Sequence, residues 1–113
     1  MIEQIAVNLG KYMDVLAARQ RLVSSNIANA DTPDYRTVDL DFQQEYQCRL
    51  DGEANPFAVS EVTGLRIKND GNNVNLDREL RMLAEDSIRF SAVSNMAQAQ
   101  ITLLKSAIDN LQG

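Results

Sequence analysis

The sequence has no histidine, no tryptophan and a single cysteine, Cys48. Without histidine there can be no Ser-His-Asp triad, no imidazole proton relay and no histidine ligand for zinc. One cysteine cannot close an internal disulfide, so cysteine usage does not indicate a redox compartment. Cys48 also lacks an imidazole to activate it, and reads as an incidental, partly buried thiol. No glycine-rich phosphate loop is present. No apolar run approaches the ~20 residues that a bilayer-spanning helix needs. Aromatic residues make up 5% of the chain; large cores depend on aromatic area, so this core is expected to form along aliphatic seams. Basic residues are the minority, 11 Lys and Arg against 16 Asp and Glu, for a net charge of −5. Phosphate neutralisation needs a basic footprint, so nucleic acid is disfavoured as a partner, as is an anionic membrane surface. No catalysis, cofactor or metal is expected. Met1-Ile2-Glu3-Gln4 lacks a basic segment leading into an apolar one, so no cleaved secretory signal is expected either.

What is present is two long periodic stripes. Within 113 residues, enough for one domain, Ile2, Ile5, Leu9, Tyr12, Leu16 and Val23 recur at spacings of three, four or seven, with Ala6, Met13 and Ile27 widening the line. The pattern predicts an amphipathic helix over about residues 2–30, coiled-coil-like in its heptads. Arg19 and Asn26 occupy later seam positions, where buried polar groups tend to fix register and partner. Pro33 disfavours helical geometry in the residue before it, so the helix is expected to stop between Asn29 and Thr32. The second stripe runs Leu76, Leu80, Leu83, Ser87, Phe90, Ser94, Ala97, Ile101, Leu104, Ile108, Leu111; nine of these eleven positions are apolar. It predicts a helix over about 76–112, capped by Asn75, with Asp77 and Glu79 in the first turn and Gly113 just beyond the end.

Between the stripes the periodicity dissolves. Residues 31–42 read as a turn and an extended segment, in which Thr32-Pro33-Asp34 suits a tight turn and Tyr35, Val38, Leu40 and Phe42 lie back on the helix. Residues 43–75 read as irregular. Turn signals stand at Asp51-Gly52, Asn55-Pro56 and Asn69-Asp70-Gly71-Asn72; the weak alternation of Val59, Val62, Leu65 and Ile67 fits either a short hairpin or an extended loop. Asp31, Asp34, Asp39, Asp41 and Glu45 do not fall in the register of a calcium loop. Asp70 to Asp77 also misses the EF-hand template, because Val74 stands at a ligand position and the glycine is misplaced. The expected architecture is mainly α: an elongated pair of long N- and C-terminal helices joined by an irregular or short β-containing middle. At 1.5 Å per residue the helices measure about 43 and about 55 Å, longer than the ~35 Å diameter of a compact domain of this size. Two helices cannot cover stripes of that length, so other chains are expected to.

The run Asn26-Ile27-Ala28-Asn29-Ala30-Asp31-Thr32-Pro33, followed by Tyr35, resembles the signature of flagellar rod and hook axial proteins, Asn-hydrophobic-Ala-Asn-Ala-x-Thr-Pro-Gly-Tyr. Asp39-Leu40-Asp41-Phe42 and Asp70-Gly71-Asn72-Asn73-Val74-Asn75-Leu76-Asp77-Arg78-Glu79 are similar to segments of the proximal rod members of that family. The resemblance spans about residues 1–42 and 69–113. It departs at Asp34, where the family has Gly, which suggests a different turn type, and in a short middle segment. It implies a structural subunit at the membrane-proximal end of the bacterial flagellar rod. Such a subunit is made in the cytoplasm, exported unfolded without signal cleavage, and placed in the periplasmic rod of the basal body. The implied partners are other rod subunits, copies of itself, and membrane-ring and rod-adaptor proteins at the rod base. Torque would pass through interdigitated terminal helices, and the motif residues would act in interaction. A cytoplasmic helical binding module, such as an export chaperone, is the alternative; it gives no reason for the Asn-rich Thr-Pro-x-Tyr turn.

Overall fold

In the computed structural model, which describes residues 1–112, the chain runs α1 (Ile2–Ala28), β1 (Val38–Asp39), α2 (Phe42–Leu50), β2 (Ser60–Glu61) and α3 (Leu76–Gln112). Gly113, expected just past the last helix, lies outside the described residues. The molecule measures 70 × 26 × 17 Å with a radius of gyration of 18.5 Å, well above the ~13 Å of a compact domain of this length. The elongated, mainly α architecture read from the stripes is therefore the one observed.

α1 and α3 lie antiparallel. Asn26 meets Glu79 and Arg19 meets Met82 at one end, while Ile2 and Leu104 line one groove at the other. α1 stops where its Asn29 amide turns back to donate to the Ser25 carbonyl at 2.8 Å, a local bond that competes with helix continuation. α3 starts at Leu76, directly after Asn75, whose side chain caps it as expected by accepting from the Arg78 N–H at 3.1 Å.

The middle differs from expectation in two respects. Residues 42–50 are a helix, not irregular chain. Asp41 caps it by accepting from the Gln44 N–H at 3.2 Å, and Gln44 at the third position completes a capping-box spacing. Hydrophobic periodicity could not reveal this helix because its most buried position is Glu45. β2 pairs across the fold with β1, Val38 against Glu61 and Asp39 against Ser60, so it does not form a hairpin within 59–67. The core is small: Val15, Ala18 and Leu40, flanked by Leu22, Phe42, Tyr46 and Phe57. Edge-to-face contacts of Tyr12 with Phe42 and Tyr46, at 4.8 and 5.3 Å, fasten α2 to α1.

Much of the α3 seam is left uncovered within the chain. The residues of α3 buried in the fold are Glu79, Asp86 and Val93, seven apart, whereas Leu76, Leu80 and Phe90 of the predicted stripe are 47, 54 and 47% exposed. Leu83 is half-buried. α1 presents Arg19 and Asn26 at this level, so polar groups of α3 face it and the leucines turn outward. Nearer the other end Ser94, Ala97, Ile101 and Leu104 do face α1, across an open groove of about 380 Å³ lined also by Ile2, Ala6, Leu9 and Met13. Of the α1 seam, Leu16 and Val23 are buried, Ile5 and Leu9 half-buried and Ile2 exposed. Ile108 and Leu111 are exposed as well.

Candidate functional site

The two motifs, some forty residues apart in sequence, fold into one polar junction where α1 ends and α3 begins. Asn26, fully buried, uses its whole amide. Its Oδ1 accepts from Tyr35 Oη at 2.9 Å and the Val38 N–H at 3.2 Å. Its Nδ2 donates to the Val38 carbonyl at 2.9 Å and to Glu79 Oε2 at 3.2 Å. Asn72, also fully buried, donates through Nδ2 to the carbonyls of Asn29 and Thr32, both at 2.8 Å. Both carbonyls also accept turn N–H bonds, from Thr32 and Tyr35, so Asn72 fastens the start of the second motif onto the turn that follows α1. Asn72 Oδ1 then accepts from the Val74 N–H at 2.8 Å, and Val74 is buried beside it. Thr32 Oγ1 bonds Asn29 Oδ1 at 3.0 Å, and the Asp34 N–H donates to the Asp70 carbonyl at 3.0 Å. Ala30 N–H closes on the Ile27 carbonyl at 3.2 Å.

Asp34 adopts φ of 62°, the left-handed conformation that glycine adopts freely and aspartate tolerates better than most residues. Asp34 thus holds a conformation for which glycine is the commonest choice. Gly71, at φ of 85°, packs so closely on Asp34 that a Cβ there would strike the Asp34 carboxylate. Of the remaining motif residues, Pro33 is exposed at the turn, and Phe42 belongs to the aromatic cluster on α2.

Beneath the asparagines lies an ionic chain that the sequence did not single out. Arg78 bonds Glu79 at 2.7 Å and Asp39 at 2.9 Å, and Asp39 approaches Arg19 Nε at 3.5 Å. Glu79 is fully buried, so the chain ties α3, β1 and α1 together with little solvent screening. Asn73 completes the junction by accepting from the Thr37 N–H at 2.6 Å. The seven-residue recurrence of Glu79, Asp86 and Val93 was the available signal; the polarity of the first two hid it.

The acidic side chains are occupied in holding backbone and arginine, and among the described residues no group of three potential ligands converges on a metal position. Cys48, half-buried on α2, has its thiol pushed up by a hydrogen bond with Glu53 and by burial, which lowers its nucleophilicity. Among the described residues, no helix is long and apolar enough to cross a membrane.

An elongated helix pair, pinned at one end by a polar junction and apolar along its uncovered length, defines a protein of the assembling class. Residues 13–36, which include the Asn26–Tyr35 turn, match the model of the family described as flagella basal body rod protein. The chain is 29% identical to the flagellar basal body rod protein FlgB of Buchnera aphidicola, over 88% of this chain and 84% of that one. It is 26% identical to FlgB of Escherichia coli K12, over 83 and 88%, and 25% identical to FlgB of Bacillus subtilis 168, over 89 and 90%. The resemblance to flagellar rod proteins thus extends over most of the chain, and these relatives support a structural flagellar basal-body rod subunit.

Proposed function

We propose that this chain is a structural subunit at the proximal end of the flagellar rod. It assembles through α1 and α3 and passes torque from the membrane ring toward the hook. The observation that carries the reading is the outward turn of the α3 stripe. Leu76, Leu80, Phe90, Ile108 and Leu111 are each 46% exposed or more, and Ile101 and Leu104, which border the open groove toward α1, stay 58 and 47% exposed, an apolar line longer than a lone chain leaves open to water. The polar junction supports the same reading, because it holds the two helices at a set angle and register while their flanks stay free for neighbours. Those neighbours are other rod subunits, further copies of this chain, and membrane-ring or adaptor proteins at the rod base. The chain reaches the periplasmic rod by export without loss of a signal peptide, and it performs no catalysis. A chaperone in the cytoplasm would have no use for an Asn-built junction at the helix ends.

Crosslinking in purified basal bodies tests the proposal. The chain should be found in the rod, linked to the membrane ring and to an adjacent rod subunit. Its absence from basal bodies, with the protein confined to the cytoplasm, contradicts the reading.

A further inference from the structure

Asp86 stands on the α3 face turned to α1, between Glu79 of the polar junction and Val93 near the groove. Its side chain is fully buried, and neither carboxylate oxygen has a hydrogen-bond partner. The charged groups around it are Arg19 from α1, Asp39 from β1, and Glu85 and Arg89 from α3 itself. Neither cation hydrogen-bonds it, although Arg19 Nε is itself buried without a hydrogen-bond partner. Arg19 faces Asp39 at 3.5 Å and donates to Met82 Sδ at 3.1 Å. Arg89 pairs with Glu85 at 2.8 Å and stacks 5.0 Å from the centre of the Phe42 ring. A carboxylate taken from water without a bonded partner is costly in its charged form. Burial accordingly pushes the Asp86 carboxyl above the usual aspartate range; Arg19 and Arg89 pull it part of the way back, and Glu85 and Asp39 push it up again.

We propose that Asp86 makes the α1–α3 pairing pH-dependent, tight when the carboxyl holds a proton and loosened when it is ionised. A carboxyl titrating higher in the folded chain than in the unfolded one stabilises fully below the unfolded value. That contribution is lost as pH rises through the folded value. Once ionised, the charge works against the pairing of the terminal helices, midway along their contact. The inference needs only the helix pair seen here, so it can fail while the rod reading stands, and the reverse.

Thermal unfolding of the full chain and of Asp86→Asn, followed by circular dichroism between about pH 4 and about pH 8, tests it, with exposed Asp109→Asn as control. Asp86→Asn is expected to melt at least ~4 °C higher at the alkaline end, the shift that about 1 kcal/mol gives a domain of this size, with the gap closing as pH falls. A gap that is absent, reversed or unchanged with pH overturns the proposal. Should Asp86→Asn fail to fold, the carboxyl-carbon titration of Asp86 in the unaltered chain decides. A midpoint above the ordinary aspartate range upholds the proposal, and one within or below that range overturns it.

Discussion

Asn26 pairs with Val38 as a β-strand would, accepting from its N–H at 3.2 Å and donating to its carbonyl at 2.9 Å. A helix side chain thereby substitutes for a missing strand neighbour of β1 on the side away from β2, and the spare amide bonds of Asn26 reach Tyr35 and Glu79. Asn26→Ala removes all four bonds at a fully buried site and strands the Val38 N–H and carbonyl and one Glu79 oxygen, while Tyr35 Oη keeps Ser25 Oγ at 3.3 Å. Each unsatisfied buried group costs about 1–3 kcal/mol, so the variant should lose ~3 kcal/mol or more in urea unfolding. Tyr35→Phe, which deletes one partner, should lose about 1 kcal/mol.

Gly71 and Gly52 form a matched pair for separating strain from collision. Both have positive φ, 85° and 84°, but a Cβ at Gly52 meets nothing within 4 Å while one at Gly71 meets Asp34. Gly52→Ala should cost on the order of 1 kcal/mol, as expected of an alanine held left-handed. Gly71→Ala should cost clearly more. Adding Asp34→Gly to Gly71→Ala should recover the difference, a coupling that a double-mutant cycle on unfolding free energies reads directly.

Arg78 serves two carboxylates, Asp39 and the fully buried Glu79. Removing one partner of a buried ion pair strands the other charge, so Arg78→Met should destabilise by about 3 kcal/mol. Neutralising the stranded group with Glu79→Gln in the same chain should return part of that loss. Equal instability in the single and double variants would show that Glu79 does not depend on Arg78.

The outward leucines and the inward ones should separate folding from assembly. Leu16 is 1% exposed, and Leu80 is 54% exposed. Leu16→Ala should lose ~2–5 kcal/mol of stability. Leu80→Asp should leave stability within about 0.5 kcal/mol and yet reduce incorporation into basal bodies and motility in a complemented strain.

Much of this architecture could be read from the chain. Both long helices, the Asn75 cap and the elongated shape follow from apolar spacing and rise per residue, and the Asn26–Tyr35 turn drew notice as a dense run. Three things were hidden, each because polar groups were buried. α2 packs Glu45 inward, the α3 face toward α1 is built on Glu79 and Asp86, and β1 finds its helix-side partner in an asparagine amide. Hydrophobic periodicity reports only apolar faces, so it followed a stripe whose first half points away from this chain and whose second half borders the open groove toward α1. That same misdirection is informative: a regular apolar stripe left unused inside the subunit is the surface available to its neighbours.

Cysteine accessibility along that stripe tests the account most directly. With Cys48→Ser as background, single Leu80→Cys and Leu104→Cys variants would be treated with a maleimide, once as isolated chains and once within purified basal bodies. Both thiols should react freely in the isolated chain and be protected in the rod, as burial of the α3 stripe by neighbouring subunits requires. Equal reactivity in the two states, in rods that contain the variant chain, would contradict the central claim.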